Sequence, residues 1–243
     1  TEMDYIGHRK IFVAVSFMIA VILLPLIWCS YGSTKLEPVD PATWTKDPHS
    51  SIIHVAVNMD SLAHFSQSDL LNEEYASAIL SWIGEKSNWK RVFSGNEDVM
   101  TPESFHSIVD NKGAIIHIVE DDNNNLFGAY SSVGFDSSKG NGIMYGDNHH
   151  FLFTLKNPYS IPPTLFKNRE PRFCISYVDV YGPSYGSHGD LTFRGHDGHF
   201  CESHSINFPW SYEDPTGKGN LIFTGKERFC VKNMEVFKIG RAS

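Results

Sequence analysis

The densest group of chemically competent side chains lies late in the chain, where His188, His196, Asp197, His199, Cys201 and His204 fall close together. The spacing His196-x-x-His199-x-Cys201-x-x-His204 supplies imidazoles and a thiol, the donors of a tetrahedral zinc site. In extended chain, His199 and Cys201 share one face while His196 and His204 point to the other. The expectation is therefore surface and loop histidines, with Cys201 a small core residue and no metal. His149 and His150 are adjacent just before an apolar run, so they face opposite ways and do not share a ligand. The run from Asp121 to Asn125 offers oxygens for Ca²⁺ but lacks the alternating acids, central glycine and distal glutamate of an EF-hand loop, so it reads as a solvated turn. No G-x-S-x-G, P-loop or G-x-G-x-x-G pattern occurs. Catalytic residues, cofactor-binding residues and metal ligands are accordingly expected to be absent, and the chain is not expected to be an enzyme.

Four cysteines are too few and too irregular for a disulfide scaffold. Nothing in the sequence lowers a thiol pKa, so buried free thiols are the default expectation. If any of Cys174, Cys201 and Cys230 pair, Cys201 with Cys230 is the first choice. Trp210 and Tyr212, beside Pro209, read as loop residues able to form a contact surface.

These residues hang on elements that the apolar pattern outlines. Residues 52–58 suit a short β-branched strand. Ser68 can cap a helix starting near Asp69, and Leu71, Tyr75, Ala78, Ile79 and Trp82 form its apolar stripe, with Gly84 as a stop. Thr101-Pro102-Glu103 opens a second helix whose apolar face is Phe105, Ile108 and Val109. The period then changes. Strands are expected at 113–119, 126–130, 151–155, 173–180, 191–193, 221–223 and 231–239, with a hairpin turn at 121–125. Helices followed by many antiparallel strands indicate an α+β domain or a β-sandwich with helices on its flank.

Ahead of that domain, residues 11–28 are apolar and carry no charge. As a helix they would span roughly 27 Å, the thickness of a bilayer core. A single transmembrane helix is expected there within an N-terminal segment 1–31, followed by a proline-rich linker at 32–51 and the main domain at 52–243. Arg9 and Lys10 precede the span, which places the N-terminus on the cytoplasmic or matrix side. No Asn-x-Ser/Thr acceptor is present, which disfavours a secretory lumen. A first residue of Thr1 rather than Met fits a removed mitochondrial presequence, and a shortened sequence equally.

The 243 residues are 41% hydrophobic and 20% charged, enough apolar mass for a core. The net charge of −8 excludes the basic footprint of a nucleic-acid binder.

The order of motifs resembles a TLDc domain. Leu70-Leu71-Asn72-Glu73-Glu74 opens the first helix, and Trp89-Lys90-Arg91-Val92-Phe93-Ser94 is similar to the family's W-x-x-L/V-Y/F-S strand. Residues 115–130 resemble the family hairpin ending in F-G-A-F/Y, with Asn in place of the usual turn glycine. Residues 151–155 resemble its F-L-F-x-L strand, 200–205 its S-x-x-C-x-T-F region, and 229–239 its closing L-E-V-W/F strand. The resemblance covers about residues 68–239. It implies a two-layer antiparallel β-sandwich with flanking helices, protection against oxidation, and binding of the vacuolar-type proton pump, without a defined active site. Joined to an anchor, it leads to the expectation of a non-catalytic accessory subunit of a membrane complex. A respiratory-chain assembly of the mitochondrial inner membrane, with the domain in the intermembrane space, comes first. A membrane-tethered regulator of the proton pump or of oxidative-stress resistance, on an endomembrane, is the alternative. Expected partners are other subunits and the bilayer, with no nucleic acid, no small-molecule substrate and no cofactor.

Overall fold

The computed structural model describes residues 64–84, 87–139, 142–145, 149–169, 173–177, 182–195 and 200–241. The expected span at 11–28, the linker at 32–51 and the strand at 52–58 lie outside them. Among the described residues, no helix is long and apolar enough to cross a membrane.

A 3-10 turn at His64–Gln67 leads to helix α1 (Glu73–Ile83). Strand β1 (Ser87–Ser94), helix α2 (Pro102–Val109) and the hairpin of β2 (Ile115–Asp121) and β3 (Leu126–Ser131) follow. Next come β4 (Gly142–Tyr145), β5 (Phe151–Lys156), β6 (Thr164–Lys167) and β7 (Phe173–Tyr177). Four two-residue strands, β8 (Ser184–Tyr185), β9 (Leu191–Thr192), β10 (Ser203–His204) and β11 (Arg228–Phe229), precede the long β12 (Val231–Arg241). Among the described residues they form two six-stranded sheets, ordered β1-β12-β2-β3-β5-β6 and β11-β10-β9-β8-β7-β4. The result is mostly sheet with two helices, an α+β sandwich.

Both faces of the first sheet are covered, which is why β2 reads as an unbroken apolar run. Ile115 and Val119 enter the core between the sheets with Phe105, Phe127, Phe193 and Phe223. Ile116 and Ile118 point the other way, against Ala76, Ile79 and Leu80 of α1. Strand β1 serves both clusters. Trp89 lies on the helix side and Phe93 between the sheets. Strict alternation would put both on one face, but the register shifts between Arg91 and Phe93. One extra residue in the strand turns everything after it over. Gly128 in β3 has no room for a side chain, since a Cβ there would meet the His117 carbonyl oxygen at 1.9 Å.

Helix α2 starts as expected, with Thr101 accepting from the Ser104 amide at 3.1 Å. Helix α1 starts later than expected. Asn72, not Ser68, is its cap, accepting from the Tyr75 amide at 2.8 Å. Ser68 instead accepts from the Leu70 and Leu71 amides in the preceding turn. The expected strand at 221–223 is also corrected. Gly219–Leu221 forms a 3-10 turn, and the adjacent Ile222 and Phe223 are both fully buried. Gly217 and Gly219 take positive φ of 66° and 57°, so the chain winds rather than extends.

Candidate functional site

Of the late His/Cys group, the described members His188, Cys201 and His204 do not come together as the spacing invites. Residues 196–199 lie outside the described part, which removes His196, Asp197 and His199 from view. Cys201 is exposed rather than a core residue, and its disulfide to Cys230, the first-choice pair, replaces the free thiols expected at these two positions and takes the thiolate out of the set. His204 is half-buried in β10. Burial, with Arg228 and Arg194 nearby, pushes its pKa down. His188 is exposed on a different loop and lies against Trp210, with ring centroids 4.6 Å apart and planes inclined by 48°. Among the described residues, no three His, Cys, Asp or Glu side chains converge to hold a metal.

The acidic turn at 121–125 uses its oxygens internally. Asp121 Oδ1 accepts from the amides of Asn123 and Asn125 at 3.0 and 2.8 Å, and Oδ2 accepts from Asn125 Nδ2 at 2.9 Å. Asn124 takes φ of 58°, the left-handed geometry such a turn needs. His149 is exposed and His150 buried, and both border the cleft beside Trp82 and Tyr130.

The polar centre that the sequence does not announce lies in the loop between β8 and β9. Asp190 is fully buried, and its Oδ1 accepts from the Ser211 amide at 2.8 Å. Oδ2 has no hydrogen-bond partner, and a Cβ on Gly186 would sit 2.2 Å from it. Burial raises the Asp190 carboxyl to about 6, although the Ser211 amide and hydroxyl and the nearby His188 pull the other way. Ser211 Oγ lies 3.0 Å from Ser187 Oγ, which lies 2.8 Å from His188 Nδ1. Asn207 Nδ2 donates to the His188 carbonyl, tying the loop to the segment of Phe208–Pro209, a cis peptide.

The four groups run carboxylate, hydroxyl, hydroxyl, imidazole. A nucleophilic triad needs the imidazole between carboxylate and hydroxyl, so that the base is oriented from behind while it takes the proton. Here the carboxylate and imidazole are separated by two hydroxyls, an arrangement suited to fastening loops. Beside it opens a cleft of about 460 Å³ lined by Arg169, Asn207, Pro209 and Trp210. Trp210 is 61% exposed, whereas Tyr212 is buried in the core, so only the first of the expected pair is available for contact. The sequence hid this site because an acid at the end of a glycine-rich run reads as a solvated turn. Its one legible signal is the pair Gly186 and Gly189, whose φ values are 84° and 68°.

A second buried carboxylate, Glu235 in β12, is fully paired. It accepts from Ser68 Oγ, from the Asp69 amide at 2.8 Å and from Arg91 Nη1 at 3.0 Å. Burial works against the Arg91 charge, but Glu235, Glu97 and Asp69 outweigh it and raise the Arg91 pKa.

The family model for the TLDc domain matches residues 64–240. That stretch contains every element described above except the last residue of β12. No curated protein matches the chain closely enough to serve as a relative.

Proposed function

The chain belongs to the TLDc domain family, and from that premise we propose that it is a non-catalytic binding module that regulates a vacuolar-type proton pump. The family match across the whole described domain carries this reading. The order of Asp190, Ser211, Ser187 and His188 supports the non-catalytic part, because it fastens loops and does not activate a nucleophile. Trp210, exposed and steadied by His188 beside Arg169, has the character of an interface anchor. The test is co-sedimentation of the full chain, kept in mild detergent, with the purified peripheral sector of the pump, together with its ATPase rate. Stoichiometric binding and a changed rate are expected. No binding and an unchanged rate would sink the proposal.

A second reading rests on the uncharged apolar run at 11–28. Under it the chain is a single-pass accessory subunit of a membrane complex, with a respiratory-chain assembly of the mitochondrial inner membrane as one host. Protease protection on intact organelles separates the two readings. A domain digested from the cytosolic side fits the pump regulator, and a protected domain fits the accessory subunit.

A further inference from the structure

We propose that the Cys201–Cys230 disulfide is an exchangeable redox site, reduced by a small dithiol that enters the cleft beside it, while the sandwich stays folded. The bond closes two positions 29 residues apart. Cys201 is exposed and Cys230 half-exposed, whereas the neighbouring Phe200 and Phe229 are buried in the core between the sheets. The sulfurs therefore face solvent while their neighbours hold the backbone. A cleft of about 280 Å³ runs along them, with Lys226 and Arg228 in its wall. The opposing acids are Asp121, whose oxygens are taken by its own turn, and the exposed Asp122. Nearby cations favour a thiolate over a thiol, and so favour a leaving sulfur.

Backbone hydrogen bonds hold the chain on both sides of the bond as well. The Val231 amide donates to the Phe200 carbonyl at 3.1 Å, and β10 pairs with β11 through Ser203 with Phe229 and His204 with Arg228. In the reaction, a thiolate of the dithiol attacks the Cys201 sulfur, and the S–S bond breaks. Cys230 leaves as a thiolate and takes a proton. The second thiol of the reductant then attacks its own sulfur in the mixed disulfide and releases Cys201 as a thiol. Two electrons and two protons pass to the cystine, and the reductant departs as a cyclic disulfide.

The experiment uses the full chain in mild detergent, equilibrated across a series of reduced-to-oxidised dithiothreitol ratios. Free thiols are trapped by alkylation and mapped by peptide mass, which separates Cys201 and Cys230 from Cys29 and Cys174. Both cysteines should become labelled together and reversibly, with the near-ultraviolet circular dichroism retained and the melting temperature lowered by roughly 5–15 °C. Labelling that appears only as the protein unfolds would overturn the proposal, as would labelling of both residues at every ratio. The double variant Lys226→Gln/Arg228→Gln should slow reduction on the order of three- to tenfold. An unchanged rate would remove the cations from the assignment.

Discussion

Glu235 in the first sheet and Asp190 in the loop between β8 and β9 are both fully withdrawn from solvent. Glu235 meets a guanidinium at 3.0 Å, a hydroxyl and a backbone amide. Asp190 meets a serine amide and hydroxyl, has the exposed His188 rather than a guanidinium near it, and leaves one oxygen without a hydrogen bond. Burial without enough donors or charge to replace the lost water favours a carboxylate's proton, as at Asp190. The first centre staples the approach to α1 onto β1 and β12. The second fastens two loops at a site whose strength follows pH.

The most forceful way to break this contrast is Glu235→Ala, which leaves Arg91 with only the exposed Glu97 and Asp69 and deprives the Ser68 hydroxyl and Asp69 amide of their buried acceptor. It is expected to cost about 3–5 kcal/mol, read as the shift in a urea midpoint. If the loss were no greater than that of an exposed pair, under about 1 kcal/mol, the first centre would not be a staple.

His117 sharpens the pH side. It is fully buried between the sheets, its ring 4.7 Å from Phe193, and burial lowers its pKa to about 3. A base depressed below its ordinary value of 6.5 stabilises the fold above that pH, and the contribution is lost as pH falls toward 3. His117→Phe should remove a slope of about 1.4 kcal/mol per pH unit, or about 3 kcal/mol by pH 4. Urea melts of both proteins at several pH values check this.

Asp190 works in the opposite direction. Its carboxyl is raised from 3.8 to about 6, so the native state holds the proton longer than the unfolded chain. Stability from this group is full below about pH 4, falls as pH rises to about 6, and is level above. Between those limits it offsets much of the His117 slope. Asp190→Asn keeps an acceptor for the Ser211 amide and cannot ionise. It should be more stable than the native protein by about 3 kcal/mol above pH 6, shrinking to nothing near pH 4. A difference that does not vary with pH would mean that Asp190 is not the titrating group.

The smallest expected effect on stability is that of Trp210→Ala, within about 0.5 kcal/mol because the ring is largely exposed. The same variant should weaken binding to the pump's peripheral sector by tenfold or more. Normal binding with a shifted melting temperature would reverse the contrast between contact surface and core.

Much of the local structure was legible from the residues. Thr101 with Pro102 marks the start of α2, and Gly113 to Tyr130 reads as a hairpin, because caps and turns are short-range interactions between neighbours in sequence. The correction at α1 is also local, since Ser68 and Asn72 both precede apolar periodicity and both can cap. Trp89 and Phe93 were not assignable to opposite faces, because the extra residue between them is visible only in the pairing with β12. Ile222 and Phe223 read as strand until Gly217 and Gly219 wind the chain. In the candidate site, Trp210 and Tyr212 look alike in sequence, and burial alone separates them.

Apolar periodicity, cap residues and motif order, read along the chain, suffice for a sheet-rich α+β domain of the TLDc family, because each is set by residues a few positions apart. Packing decided that Cys201 bonds to Cys230, that Asp190 loses its water, and that Glu235 finds Arg91, 144 positions away. Those outcomes depend on which surfaces two sheets bring together, and distance in space bears no fixed relation to distance in sequence.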